Sequence, residues 1–417
     1  MPQNKESYQV LKIRDFRLYL LSRLLIILSI QVQSVAVGWQ VYQLTKDPLS
    51  LGFIGLVEAI PSILVSLYAG HLADNSNRKK ISLICLSLFF LCSLSLLSFT
   101  FDSFKSTIGF SIYHIYAVIF VSGIARGFMS PASFGLVSQI VPRELYVYSS
   151  LWSSTAFQIG LVGGPAFGGL LYGFFGVTAT FATDCALVFL ALMSVLFITT
   201  QPTPKTESNQ SIFASISEGL KFVFSNQIIL GSLSLDLFAV LFGGAVALLP
   251  IFASEILQVG PKGLGIMRAA PAVGALTMSW LVSRRKERGN DGAELLASVA
   301  AFGICTILFA LSTNFYFSVL MLAMIGMFDN VSVIIRSTII QVMTPDNMRG
   351  RVSAVNSIFI GSSNEIGSFE SGVAAKLLGT VPAVVFGGSM TLLVVITTAL
   401  KADKLRVFRL KDFINKP

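Results

Sequence analysis

From residue 19 onward the chain alternates long apolar runs with short polar breaks. The runs fall at about 19–43, 49–73, 81–101, 112–139, 147–172, 177–199, 228–253, 261–283, 293–312, 316–342, 350–376 and 381–400. Each is long enough to cross ~30 Å of hydrocarbon as a helix, which takes roughly 20 residues. Runs such as Ile81 to Leu97 are continuous, whereas the strands of a membrane β-barrel alternate. The pattern therefore predicts an all-α membrane protein with twelve transmembrane helices.

The longest interior connection, Gln201 to Asn226, opens Gln-Pro-Thr-Pro and is rich in Ser, Thr and Asn, the composition of a linker. It predicts an N-terminal six-helix bundle over 1–200, a linker over 201–226, and a C-terminal six-helix bundle with its tail over 227–417. Within the linker Ile212, Phe213, Ile216, Leu220, Val223 and Phe224 recur at helical spacing opposite Glu218 and Lys221. The simplest reading is an amphipathic helix resting on the membrane surface. An offset of 203 places Pro142 on Pro345, Ser150 on Ser353, Gly164 on Gly367 and Gly169 on Gly372, so the two bundles read as a parallel repeat. Parallel repeats are a transporter architecture with the substrate site near the midplane.

Of the 417 residues, 54% are hydrophobic and 12% charged, against roughly 25% charged in soluble domains. Twelve spans leave only short connections and tails, so no soluble catalytic domain fits. The net charge of +9 does not point to nucleic acid, because the basic residues sit at helix ends and not on one soluble face with interleaved aromatics. Most Lys and Arg lie in the tails and the even connections, for example Arg78, Lys79 and Lys80 or Arg284, Arg285, Lys286 and Arg288; the odd connections hold Lys46, Lys105, Lys262 and Lys376. The positive-inside rule then puts both termini in the cytoplasm. The first apolar run lacks a small-residue cleavage site after it and is expected to be a retained span. Cys85, Cys92, Cys185 and Cys305 all fall inside spans and read as packing residues. His71 and His114 stand without HExxH or paired Cys/His spacing, so no metal or other cofactor is expected. No Gly-x-x-x-x-Gly-Lys-Ser/Thr loop is present, which leaves an ion gradient or facilitation as the energy source.

After the second run the chain reads Gly70-His71-Leu72-Ala73-Asp74-Asn75-Ser76-Asn77-Arg78-Lys79-Lys80. This resembles the loop 2-3 signature of the major facilitator superfamily, with Asn77 where that family usually has Gly; Asn tolerates left-handed backbone nearly as well. Span five carries Gly160-Leu161-Val162-Gly163-Gly164-Pro165-Ala166-Phe167-Gly168-Gly169, similar to the antiporter signature of drug and metabolite exporters. Ordinary glycine-rich helix packing is the competing reading, since small residues let backbones approach in either case. Gln341 to Asn356, Asp15-Phe16-Arg17, Arg23 and Glu218 to Phe222 resemble the enterobactin-exporter-like branch of the superfamily's drug and metabolite:proton antiporters. The resemblance implies the major facilitator fold: two pseudo-symmetric six-helix bundles, with spans one, four, seven and ten around a central cavity. It also implies a cytoplasmic gate formed by Asp74 and Arg78 with Arg349 and Arg351.

Charged side chains within spans are costly and mark functional candidates. They are Arg23, Glu58, Arg126, Asp184, Asp236, Arg268, Asp329, Arg336, Glu365 and Glu370. Arg23, Asp184 and Arg336 lie nearer span ends and are expected to be structural or to snorkel. Glu58 and Asp236, each in a span with no adjacent basic residue, are the proton-coupling candidates: burial disfavours a carboxylate's charged form, so such a group can carry a proton. Gln31, Arg126, Asp329 and Glu365 are substrate-path candidates; Gln33, Ser34 and Gln40 join Gln31 as polar groups that should face protein or cavity.

The chain thus reads as a secondary active transporter and not an enzyme, expected to export a small amphiphilic metabolite, siderophore or drug in exchange for protons. It is placed as a monomer in the bacterial inner membrane, surrounded by lipid and without nucleic-acid partners. Uptake or lipid movement by the same fold is one alternative, and a non-transporting sensor or scaffold is another.

Overall fold

The computed structural model describes residues 8–199, 212–284, 289–345, 348–410 and 412. Among them there is no strand. The main helices are α1 (Arg14–Thr45), α2 (Pro48–Asn75), α3 (Arg78–Ser98), α4 (Ile112–Ile140), α5 (Tyr146–Leu196), the linker helix α6 (Ile212–Ser225), α7 (Gln227–Phe242), the short α8 (Ala245–Ile251), α9 (Gly260–Ser283), α10 (Asp291–Leu311), α11 (Phe315–Met343), α12 (Arg349–Leu378) and α13 (Thr380–Lys401).

Ten of these stretches are long and apolar enough to cross a membrane. Two features bring that number to twelve. The 51-residue α5 is two spans joined end to end at Gly176, whose φ of 81° and ψ of −179° lie in a region that only glycine adopts readily. The 30-residue α12 is as long as its neighbours but carries Asn356, Asn364, Glu365 and Glu370 along with its apolar residues, which lowers its hydropathy. Span seven is itself interrupted: α7 stops at Phe242, α8 starts at Ala245, and Gly243 and Gly244 lie between them.

Local chemistry sets several boundaries. The Asn77 side chain accepts from the Lys80 amide at 3.1 Å and starts α3, so the residue that departs from the loop signature serves as a helix cap. Ser111 and the His114 ring form a capping box at the start of α4, which accounts for His114. Asn226 accepts from the amides of Ile228 and Ile229 and opens α7.

The chain divides into two compact units. Unit 1 is Met1–Lys46, Leu56–Glu207 and Gly260–Ile266; unit 2 is Asp47–Gly55, Ser208–Val259 and Met267–Pro417. In unit 1, α1 runs along α5, and α3 packs on α4 and α5. Its core is built from Phe16, Tyr19, Ile26, Leu86, Phe89, Ala125, Leu136 and Val188. In unit 2, α10 packs on α11 and α13, and α7 packs on α12 and α13, around Ile229, Leu233, Val299, Ile339 and Val352. Large apolar side chains such as Leu64, Phe175, Leu377 and Leu400 remain exposed, as a lipid-facing surface requires.

The linker helix does more than rest on a surface. Val223 is fully buried in the unit 2 core, and Leu220 packs against that cluster. A side chain at Gly219 would collide with the Arg351 carbonyl, 2.9 Å from where its Cβ would stand. α6 is therefore docked on α12, while Phe224 stays 61% exposed.

Candidate transport site

Two of the intramembrane carboxylates are paired with arginines across helices. In unit 1, Gly123 and Gly127 of α4 leave no room for side chains against the carbonyls of Glu58 and Ser62, so α2 and α4 run in close contact. That contact brings the Arg126 guanidinium to 2.5 Å from the Glu58 carboxylate, with side chains 36% and 19% exposed. In unit 2, Asp236 of α7 pairs with Arg336 of α11, and both side chains are almost fully buried. Glu58 and Asp236, which have no basic neighbour within their own spans, are thus not without a cation. Each has a guanidinium beside it, supplied by a helix distant in sequence. Arg336, expected to be structural or to snorkel, is a buried partner at 4% exposure.

Asp184 is also deeper than its position in the chain suggested. It is fully buried in the second limb of α5 and accepts a 2.5 Å hydrogen bond from Ser29 of α1. Asp329 differs from all of these: among the described residues it has no ion-pair or hydrogen-bond partner, and it is only partly buried in α11.

The glycines of span five divide by face. Gly160, Gly164 and Gly168 lie one turn apart, and a Cβ on each would strike Ile27, Gln31 or Val32 of α1 at 2.5 to 2.8 Å. Gly169 meets Gly265 of α9 backbone to backbone, and a Cβ on Gly163 would meet nothing within 4 Å. Pro165 lies inside the same helix. Gln31 is thereby fixed where α1 and α5 touch. Glu365 of α12 lies by the first turns of α2, its Oε2 3.1 Å from where a Cβ on Gly55 would stand.

Of the four residues assigned to a gate, the side chains of Asp74 and Arg349 lie outside those described. Arg78 donates to the Gly135 carbonyl of α4 at 3.0 Å. Arg351 pairs with Glu218 of the linker helix at 2.6 Å, a partner no short-range pattern signalled.

Twelve membrane-spanning helices with internal charges held across helix pairs define a transporter of the major facilitator type. The chain belongs to the transmembrane secretion effector family, whose profile matches residues 6–416. Similar curated proteins include the enterobactin exporter of Salmonella choleraesuis strain SC-B67, 23% identical with 94% of each chain covered. The enterobactin exporter of Shigella dysenteriae serotype 1 is 22% identical, over 94% of this chain and 93% of its own. Among solved structures, the inward-facing, unoccupied bacterial homologue of the human lysosomal transporter Spinster superposes with a TM-score of 0.71 at 14% identity, covering 96% of this chain and 97% of that one. A bacterial homologue of the iron transporter ferroportin gives 0.69 at 17% identity, over 95% and 99%. These likenesses establish the fold.

Proposed function

We propose that the protein is a proton-coupled exporter of a small amphiphilic metabolite, siderophore or drug, working by alternating access from the inner membrane with both termini cytoplasmic. The observation that carries the coupling is the contrast among its intramembrane carboxylates. Glu58 and Asp236 are each tied up in an ion pair with a guanidinium, whereas Asp329 has no ion-pair or hydrogen-bond partner among the described residues. Asp329 is therefore the first choice for a proton carrier, ahead of Glu58 and Asp236. The export direction is supported by the relatives named as exporters and by the glycine ridge of span five. The positive-inside distribution of Lys and Arg supports the orientation.

Purified protein in proteoliposomes with an imposed pH gradient tests this reading against candidate siderophores, dyes and lysolipids. Substrate movement opposite to the proton gradient, accompanied by proton counterflow, is the expected result. Movement in the direction of the protons would assign uptake instead, and movement indifferent to the gradient would remove the coupling.

A further inference from the structure

Arg23 belongs to none of the pairs above. Its guanidinium donates to the Tyr19 hydroxyl at 3.0 Å and lies 5.9 Å from the centre of the Phe157 ring. Its Nε is buried without a hydrogen-bond partner, and among the described residues no carboxylate pairs with it. Tyr19 in turn shares a hydrogen with Ser133 at 3.1 Å. A guanidinium left in this condition within a membrane span is costly and calls for a partner.

Two cavities of unit 1 share the Tyr19 and Arg23 side chains. One, of about 300 Å³, reaches Arg126 and Ser130 and is walled on its apolar side by Phe89 and Met129. The other, of about 310 Å³, is lined by Ser149, Ser150, Ser153 and Ser154 of α5. The Ser153 hydroxyl is buried with no hydrogen-bond partner among the described residues. Glu58 offsets Arg126, so among the described residues lining the two cavities one positive charge is left uncompensated, that of Arg23. A cationic ligand would be repelled there, and a neutral one could accept a hydrogen bond but would leave the positive charge uncompensated.

We propose that these cavities form a subsite for an organic anion. Arg23 receives the carboxylate or phenolate oxygen through a charge-assisted hydrogen bond, with Ser153 as a second donor. Phe157, Phe89 and Met129 hold the apolar or aromatic body beside it. The proposal deepens the transport reading by naming a substrate class, and equilibrium binding tests it independently of any transport.

The full-length chain in phosphatidylcholine nanodiscs is titrated calorimetrically with salicylate, 1-naphthoate and salicylamide, the last an uncharged mimic of the first. Wild-type protein should bind at least one of the two acids, and salicylate about tenfold or more tighter than salicylamide. Arg23→Gln should weaken acid binding about ten- to a hundredfold, as loss of a charge-assisted hydrogen bond does. Arg23→Lys should keep part of the affinity, and Ser153→Ala should lose a smaller part, both with wild-type melting temperatures. Equal affinity for acid and amide, no binding of either acid at millimolar concentration, or wild-type binding by Arg23→Gln would overturn the assignment. Should Arg23→Gln not fold, wild-type affinity in both Arg23→Lys and Ser153→Ala would overturn it. Abolition of salicylate binding when phosphatidylglycerol replaces phosphatidylcholine would also do so, by giving the site to lipid headgroups.

Discussion

Arg336 and Asp236 show what a buried pair asks of its surroundings. Each is desolvated at a cost that the other offsets. Asp236→Asn would leave a guanidinium buried and uncompensated, and should lower stability by about 3 to 5 kcal/mol. Replacing both residues with Leu and Met should recover most of that loss, and thermal melts of the two variants in detergent decide it. Asp329 should behave in the opposite way. With no partner among the described residues to strand, Asp329→Asn should melt like wild type, yet lose gradient-driven transport while keeping substrate counterflow. Full gradient-driven transport in that variant would take Asp329 out of the coupling. The identities of these charges could be read from the sequence, because an ionised side chain inside a twenty-residue apolar run stands out. Their partners could not. Glu58 meets Arg126 only because Gly123 and Gly127 let α2 and α4 approach, and no pattern within either span encodes that meeting.

At the scale of the element, the helices themselves followed from the length and continuity of the apolar runs, and the interruption of span seven came only with the structure. The Gly243–Gly244 break is two residues wide and sits inside an unbroken hydrophobic stretch, so hydropathy passes over it. The surface-resting reading of the linker helix is incomplete for a related reason. Its apolar stripe says that something covers that face, but not whether the cover is lipid or α12. The glycine ridge of span five allows a sharper test. Gly164→Val places side-chain volume on the Gln31 Cβ, and transport should fall at least tenfold with expression retained. Gly163→Val, one residue away and facing open space, should transport like wild type. Uptake assays on matched membrane preparations compare them, and equal activity in both would make the ridge incidental to transport.

For the whole molecule, alternating access requires a resting equilibrium that small contacts can bias. The family resemblance implies a cytoplasmic gate in which Asp74 would meet the positive end of α12, with Arg349 and Arg351. A contact of that kind, about 1 to 3 kcal/mol, is enough to set the resting population. Asp74→Asn should therefore shift the protein towards its inward-open form, read as longer spin-label distances across the cytoplasmic face. Arg351 is already engaged by Glu218 of the linker helix, so Glu218→Gln should free it and shift the same distances the other way. Unchanged distances in both variants would place the gate elsewhere.

Gly176 carries a consequence for anyone who wishes to label this protein. Spans five and six meet through a single residue whose backbone conformation excludes every side chain, and no loop stands between them. Epitope tags, protease sites and fluorescent inserts are tolerated where exposed chain has slack, and this end of the pair has none. A reporter placed there should cost the fold itself, whereas an insertion in the linker sequence 201–211, with its Pro202, Pro204, Ser208 and Ser211, is expected to be tolerated.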